Sequence, residues 1–358
     1  MLAAKVIAGW GVQWDIRWHL TIGRDSFWIA PHVMTYFGVT LGAVVAFAML
    51  ARETMLARAG AAPAGSVRFA GLVGSPALHV AWWGMAAVIL AAPVDDLWHR
   101  LFGIDVTLWS PPHLLGFLGG QINTLGCLLL ALEVFDRWPV ARALGALLAG
   151  AMLFGVFSIL TDPAMQVAFR RGGVFFFTYP VLGAFLFTFS LILVSRLIDW
   201  RTAPVVCALA ALVLGIAGRT IGDVGFAVLQ PVPAIEQAIA ADPNSPVAIA
   251  HEMARRNGGR QAVPGRSLTM RVIPFVPVVI MALVDPRRRP RLAAIAYGLA
   301  LLAWTGWAMA SWPALAHAHP SLTDTVLAVA ATIVSAFAGG TAGAWLAARC
   351  RPTIASPA

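Results

Sequence analysis

The chain has 358 residues, 59% of them hydrophobic and 11% charged, with a formal net charge of +9. A soluble domain of this length needs a far larger charged fraction to cover its surface, so the composition excludes a water-soluble globule. Nucleic acid is excluded as a partner too, because the arginines stand at the ends of apolar runs instead of forming a patch. The apolar runs are about twenty residues long, enough to cross roughly 30 Å of hydrocarbon. They lack the alternation of an outer-membrane barrel, whose strands repeat over about ten residues. The expected fold class is therefore all-α: a polytopic transmembrane bundle of about ten helices, with the lipid bilayer as its first partner.

Hydropathy predicts the first helix over residues 2–22. It opens with Lys5 like a signal peptide, but Asp15 and Arg17 interrupt the apolar stretch and no small-residue cleavage site follows. It reads as a retained helix. Further helices are expected over 31–51, 77–99, 112–134, 140–160, 176–197 and 203–228. A Pro-, Gly- and Ala-rich segment over about 229–267 follows, long enough for a short surface helix or a lid. The remaining helices are expected over 268–285, 292–314 and 323–348, the last carrying a Gly339-x3-Gly343 pair that permits close packing. Residues 1–135 and 136–358 form two regions, an N-terminal tandem of hairpins and an additional helical region.

The connections alternate in charge. Arg52, Arg58 and Arg68, then Arg137 and Arg142, Arg196 and Arg201, Arg287 to Arg289 with Arg291, and finally Arg349 and Arg351 fall on one side. The positive-inside rule makes that side cytoplasmic, which places both termini in the cytoplasm of a bacterial-type inner membrane. His19, His32, His99, His113, His251, His317 and His319 then share the extracytoplasmic side, leaving His79 opposite. Cys127, Cys207 and Cys350 show no CxxC spacing, so neither a disulfide framework nor a thiolate metal site is expected.

The chemistry lies in an internal repeat. The first copy runs Asp15-x2-Trp18-His19-x3-Gly23-Arg24-Asp25 and closes on Pro31-His32. The second runs Asp95-x2-Trp98-His99-x3-Gly103-x-Asp105 and closes on Pro112-His113. Asp and His four apart lie on one helical face. A short loop brings the next helix back alongside, and Pro suits its first turn. One carboxylate and two imidazoles can thus converge at one membrane boundary, a set that suits copper(II), zinc or iron(II). Asp25 and Asp105 are candidates to orient the imidazoles from behind, with Arg24 beside Asp25, and Trp18, Trp98 and Trp109 are expected to shelter the sites from water. The bland alternative is a pair of interfacial histidines beside an aromatic belt of Trp18, Trp28, Trp98 and Trp109, with Arg17 or Arg100 neutralising the acid. Two matched copies of costly polar residues favour metal.

These segments resemble the C subunit of the copper membrane monooxygenases, the particulate methane and ammonia monooxygenases. One family site uses Asp-x3-His-x12-His with an Arg-Asp pair and a Pro in the second interval, which Asp15, His19, Arg24, Asp25, Pro31 and His32 match. A neighbouring family site uses Asn-x3-His-x13-His, and Asp95, His99 and His113 match its spacing with Asp95 in place of Asn. The resemblance covers roughly residues 10–120 and leaves about six helices outside it. It implies copper as cofactor, O2 and a small apolar substrate, a reduced quinone as electron source, and partner subunits bearing a cupredoxin-like domain, which is not read in this sequence.

Two other functions compete. A transporter for a metal or small solute would use the hairpins and the Arg219/Asp223 pair, read here as an internal ion pair, as a polar route. A non-catalytic scaffold would hold a structural metal in the same triads. His317-x-His319 reads as an interfacial turn, His251-Glu252 lacks the second histidine of a zinc-protease helix, and Asp162 with Arg170 and Arg171 occupies a loop equivalent to the triads without a histidine.

Overall fold

A computed structural model describes the backbone of residues 1–23, 26–102, 109–161, 172–260, 272–313 and 320–355. Twelve helices and one small hairpin make up the described residues. The helices are α1 (Leu2–Thr21), α2 (Ala30–Arg58), α3 (Pro76–Phe102), α4 (Pro111–Val134), α5 (Pro139–Leu160), α6 (Gly172–Leu197), α7 (Ala203–Leu229), α8 (Ile235–Ala241), α9 (Pro246–Gly258), α10 (Phe275–Val284), α11 (Pro290–Ala310) and α12 (Leu322–Ala355). Seven of them, α2 to α7 and α12, are long and apolar enough to cross a membrane. The protein is thus a multi-pass membrane protein. Helix α1 carries Lys5, Asp15 and Arg17, and α10 has only ten residues, so neither reaches that apolar length.

Each expected span contains a helix among the described residues, although 268–285 is represented by the ten residues Phe275–Val284, and proline marks several of the starts. Pro31, Pro111, Pro139 and Pro204 each stand in a first turn, where the missing N–H costs no hydrogen bond. The segment after α7 folds into α8 and the amphipathic α9, whose N-cap Ser245 accepts a hydrogen bond from the Ala248 N–H at 3.2 Å. Strands β1 (Val67–Phe69) and β2 (Leu72–Gly74), not expected from the sequence, form an antiparallel hairpin between α2 and α3. Ala70 and Gly71 both take positive φ, the requirement of a two-residue primed turn. Three-residue strands are too short to register in a hydropathy profile.

The bundle is assembled from paired helices. Helix α1 packs on α2 and α3 on α4, α2 touches α3, and α5 and α7 close around the α1 and α4 sides. A second group of α6, α11 and α12, flanked by α10, carries much of the largest apolar core, including Phe187, Leu191, Ile192, Tyr297 and Leu301. The Gly339-x3-Gly343 pair lies against α6, where a Cβ on Gly343 would stand 2.5 Å from the Phe189 carbonyl oxygen. Only glycine permits that approach.

The two hairpins cross in the same manner. A Cβ on Gly38 of α2 would meet the Ala8 nitrogen at 2.5 Å and the Ala4 carbonyl oxygen at 2.6 Å. A Cβ on Gly119 of α4 would meet the Gly84 carbonyl oxygen at 2.8 Å and the Val88 nitrogen at 2.9 Å. In each pair the backbones touch about two turns below the Asp and His residues.

Candidate metal centre

Helix α1 presents Asp15 and His19 one turn apart, and α2 returns with His32 at its third helical position after N-cap Ile29. Gly23 takes φ +73°, a conformation that costs a residue with a Cβ, and ends the α1 stretch sharply. The close crossing at Gly38 then holds the two helix faces together. His32 Nε2 stands 3.0 Å and His19 Nε2 3.5 Å from Asp15 Oδ1. The imidazole centroids are 6.2 Å apart, and one donor atom from each of the three residues lies within 4.8 Å of the others.

The two Asp15–imidazole separations, 3.5 and 3.0 Å, are those of ligands sharing a metal and equally of direct hydrogen bonds. Ligand atoms at roughly 2.0–2.2 Å from a common ion, at angles of about 90–110°, stand about 3.0–3.5 Å apart. One carboxylate and two imidazoles are a donor set for borderline transition metals, with positions left for further ligands. All three side chains are shielded, between 19% and 25% exposed. In that environment a carboxylate needs a partner, and the arginines weighed for that role are engaged elsewhere. Arg17 turns to α7, and Arg100 pairs with Asp96 at 2.8 Å.

The second copy repeats the layout in part. Ser110 caps α4 with extended backbone as Ile29 caps α2, so His113 also takes the third helical position. His113 Nε2 stands 3.6 Å from Asp95 Oδ1, and the two side chains are 31% and 32% exposed. His99 lies on α3, but its side chain is outside the described residues, as are Arg24, Asp25, Asp105, His317, His319, Asp162, Arg170 and Arg171. Among the described residues, the set able to hold a metal is Asp15, His19 and His32.

Around the first site the structure places residues that spacing alone did not join. Arg17, 8% exposed, donates to Asp223 Oδ1 at 2.6 Å and to the Arg219 carbonyl oxygen at 3.0 Å, with its guanidinium over the Phe226 ring. The expected Arg219/Asp223 pair is present but longer, at 4.0 Å, so the bond that joins helices is Arg17 to Asp223. Both residues are visible in the sequence, but nothing there links position 17 to position 223.

Trp18, expected to shelter the site, stacks on Phe226 at 5.7 Å and is buried with Trp14 and Ile22 between α1 and α7. Trp98 packs against Phe102 at 4.4 Å, and Trp109 donates to the Leu160 carbonyl oxygen at 3.0 Å. Tyr36, one turn beyond His32, has its ring 5.8 Å from that imidazole. An i, i+4 scan from His32 would have found it.

The segment after α7 closes over the end of α1. Ala234 N–H donates to the Ile22 carbonyl oxygen at 2.7 Å, and the buried His251 Nε2 meets the Leu20 carbonyl oxygen at 2.7 Å. Carbonyls that end a helix without partners are thereby satisfied, and His251 serves as an anchor for α9. No family model, curated protein or solved structure matches the chain.

Proposed function

We propose that this chain is a membrane metalloprotein that binds copper at Asp15, His19 and His32, with Asp95, His99 and His113 as a second, equivalent site. The observation that carries this reading is the convergence of three donor atoms, from two helices, within 4.8 Å. Its support from the duplicated register is separate. Adding 80 to Ala4, Ala8 and Asp15 reaches Gly84, Val88 and Asp95, while adding 81 to His32 and Gly38 reaches His113 and Gly119. The same backbone atoms meet at both crossings, as expected of one hairpin unit used twice.

When bound, copper supplies a Lewis-acidic, redox-active centre suited to O2. The chain's own residues supply the rest. Asp15 contributes the negative charge that offsets the cation, and neutral imidazoles of His19 and His32 donate nitrogen lone pairs. Trp14, Trp18 and Phe226 exclude water on the α7 side. Helices α8 and α9 cover the end of α1. Small apolar substrates partition into the adjoining lipid, so a site at this depth meets them without an aqueous channel.

On this reading the site belongs to an oxidase or monooxygenase assembly resembling the copper membrane monooxygenases. Its triads face the extracytoplasmic side of the inner membrane, both termini are cytoplasmic, and a cupredoxin-bearing partner and a reduced quinone complete the system. Zinc or iron fits the same donors. Transport is less well supported, because the buried polar side chains nearest the middle of α4 are spent on structure. Gln121 donates to the Leu153 carbonyl oxygen at 3.0 Å and Asn123 to the Ala81 carbonyl oxygen at 2.8 Å. They clamp helices and do not line a route.

Metal content per chain, measured by mass spectrometry after copper reconstitution in membranes, tests the reading. Native protein is expected to hold about one or two ions, and a His19→Ala/His99→Ala double variant to lose them while keeping its helical content. Equal and negligible copper in both proteins would sink the proposal.

A further inference from the structure

The end of the bundle opposite the triads is rich in arginine, and its cations divide by partner. Arg196 donates to the Arg287 carbonyl oxygen at 2.6 Å, and Arg201 to the carbonyl oxygens of Ala282 and Leu283 at 2.7 Å each. Arg287 bonds both oxygens of Asp285 and reaches Asp199 at 3.7 Å. Its hydrogen bonds hold the Asp285 carboxyl down at about 2. These three arginines are consumed in tying α6, α7 and the α10–α11 turn together.

Arg291 and Arg349 are used differently. Arg291, in the first turn of α11, lays its guanidinium over the Phe337 ring of α12 at 5.4 Å. Arg349 lays its own over Trp345 at 5.3 Å. Among the described residues no carboxylate pairs with either cation. Phe337, Thr341, Trp345 and Arg349 are spaced by four, which places them on one face of α12. Phe337 is 44% and Trp345 58% exposed. That face is therefore an apolar aromatic stripe with a guanidinium at each end, about 12 Å apart along the helix axis. That separation is too long for a single phosphate group to bridge both cations.

We propose that this face of α12, with Arg291 from α11, binds an anionic phospholipid. Acyl chains cover the exposed rings, and the guanidiniums, held in place by those rings, meet the negative headgroup region. The chemistry shared with a free phosphate ion is charge attraction to guanidinium. What selects lipid is the aromatic stripe between the cations, which inorganic phosphate leaves exposed. The site is independent of the metal reading.

The test uses full-length protein reconstituted in discs of phosphatidylcholine and phosphatidylglycerol, with the ratio of the two lipids retained on purification measured by mass spectrometry. Phosphatidylglycerol is expected to be enriched, and the enrichment to fall about 5-fold for each of Arg291→Gln and Arg349→Gln. Arg137→Gln, which removes one charge elsewhere at the same end, is expected to leave the ratio unchanged. Inorganic phosphate is expected not to displace the lipid. The proposal is overturned by equal retention of the two lipids, by an unchanged ratio in the double variant, by an equal fall in Arg137→Gln, or by displacement with phosphate. Each variant's thermal midpoint in phosphatidylcholine alone shows that the fold is intact.

Discussion

The α1–α2 and α3–α4 hairpins carry the same polar residues in the same register, yet they build different surroundings for them. In the first, Asp15 lies 3.0 Å from His32, and the three side chains are at most 25% exposed. In the second, Asp95 lies 3.6 Å from His113, and both are nearly a third exposed. The crossings at Gly38 and Gly119 are alike, so the hairpins themselves do not account for the contrast. Among the described residues, the material packed behind each differs. Helix α1 is tied to α7 by Arg17 and Asp223 and covered by the α8–α9 segment. Helices α3 and α4 are clamped lower down, by Asn123 on Ala81 and Gln121 on Leu153. A duplicated motif sets which residues meet, and the neighbouring helices set how dry the meeting place is.

The largest break in this comparison is expected from the carboxylates. Asp15→Asn removes the one charged donor of the better-shielded set and should weaken copper binding by about 100-fold or more, beyond the loss typical of outer partners. Asp95→Asn should cost less, about 10-fold at its own site. Competition with a chromophoric copper chelator measures both, and equal losses would remove the distinction between the hairpins.

The crossings probe what the hairpins share. Gly38→Val and Gly119→Val each drive a branched side chain into backbone atoms, and each should destabilise the fold by about 1–3 kcal/mol. Thermal unfolding in detergent reads this directly. A tolerated change at one site alone would show that the two crossings are not equivalent.

Arg17→Leu sharpens the comparison from the other direction. It cuts the tie to α7 while leaving the donors of the first site in place, and should weaken copper at that site about 10-fold with the second site unaffected. An Arg17→Lys variant, which keeps the charge but not the forked geometry, should recover part of the loss. Equal weakening at both sites would mean that the bundle as a whole had loosened.

Much of this was legible in the residues because a membrane simplifies the problem. Backbone groups in hydrocarbon must bond within their own segment, so twenty apolar residues in a row predict a helix, and Pro31, Pro111 and Pro139 mark where helices begin. The Asp15, His19 and His32 set was legible for a related reason. Two of its members are one turn apart, and a short loop returns the third. The β1–β2 hairpin was not legible, since two three-residue strands leave no periodic signal. Nor was the bond from Arg17 to Asp223, which joins positions separated by 206 residues. His251 looked like a stray loop histidine until α9 docked it on the Leu20 carbonyl.

By itself, the sequence determined the membrane class, the positions of the helices to within several residues and the local pairing of Asp with His, because each depends on hydropathy or on neighbours within a turn or a tight loop. Only the tertiary structure decided which arginines are spent on neighbouring helices and which lie over aromatic rings. It also decided which copy of the motif is better shielded, and what lies over the end of α1. Those outcomes depend on packing between segments far apart in the chain, where shape and burial, and not local spacing, select the partner.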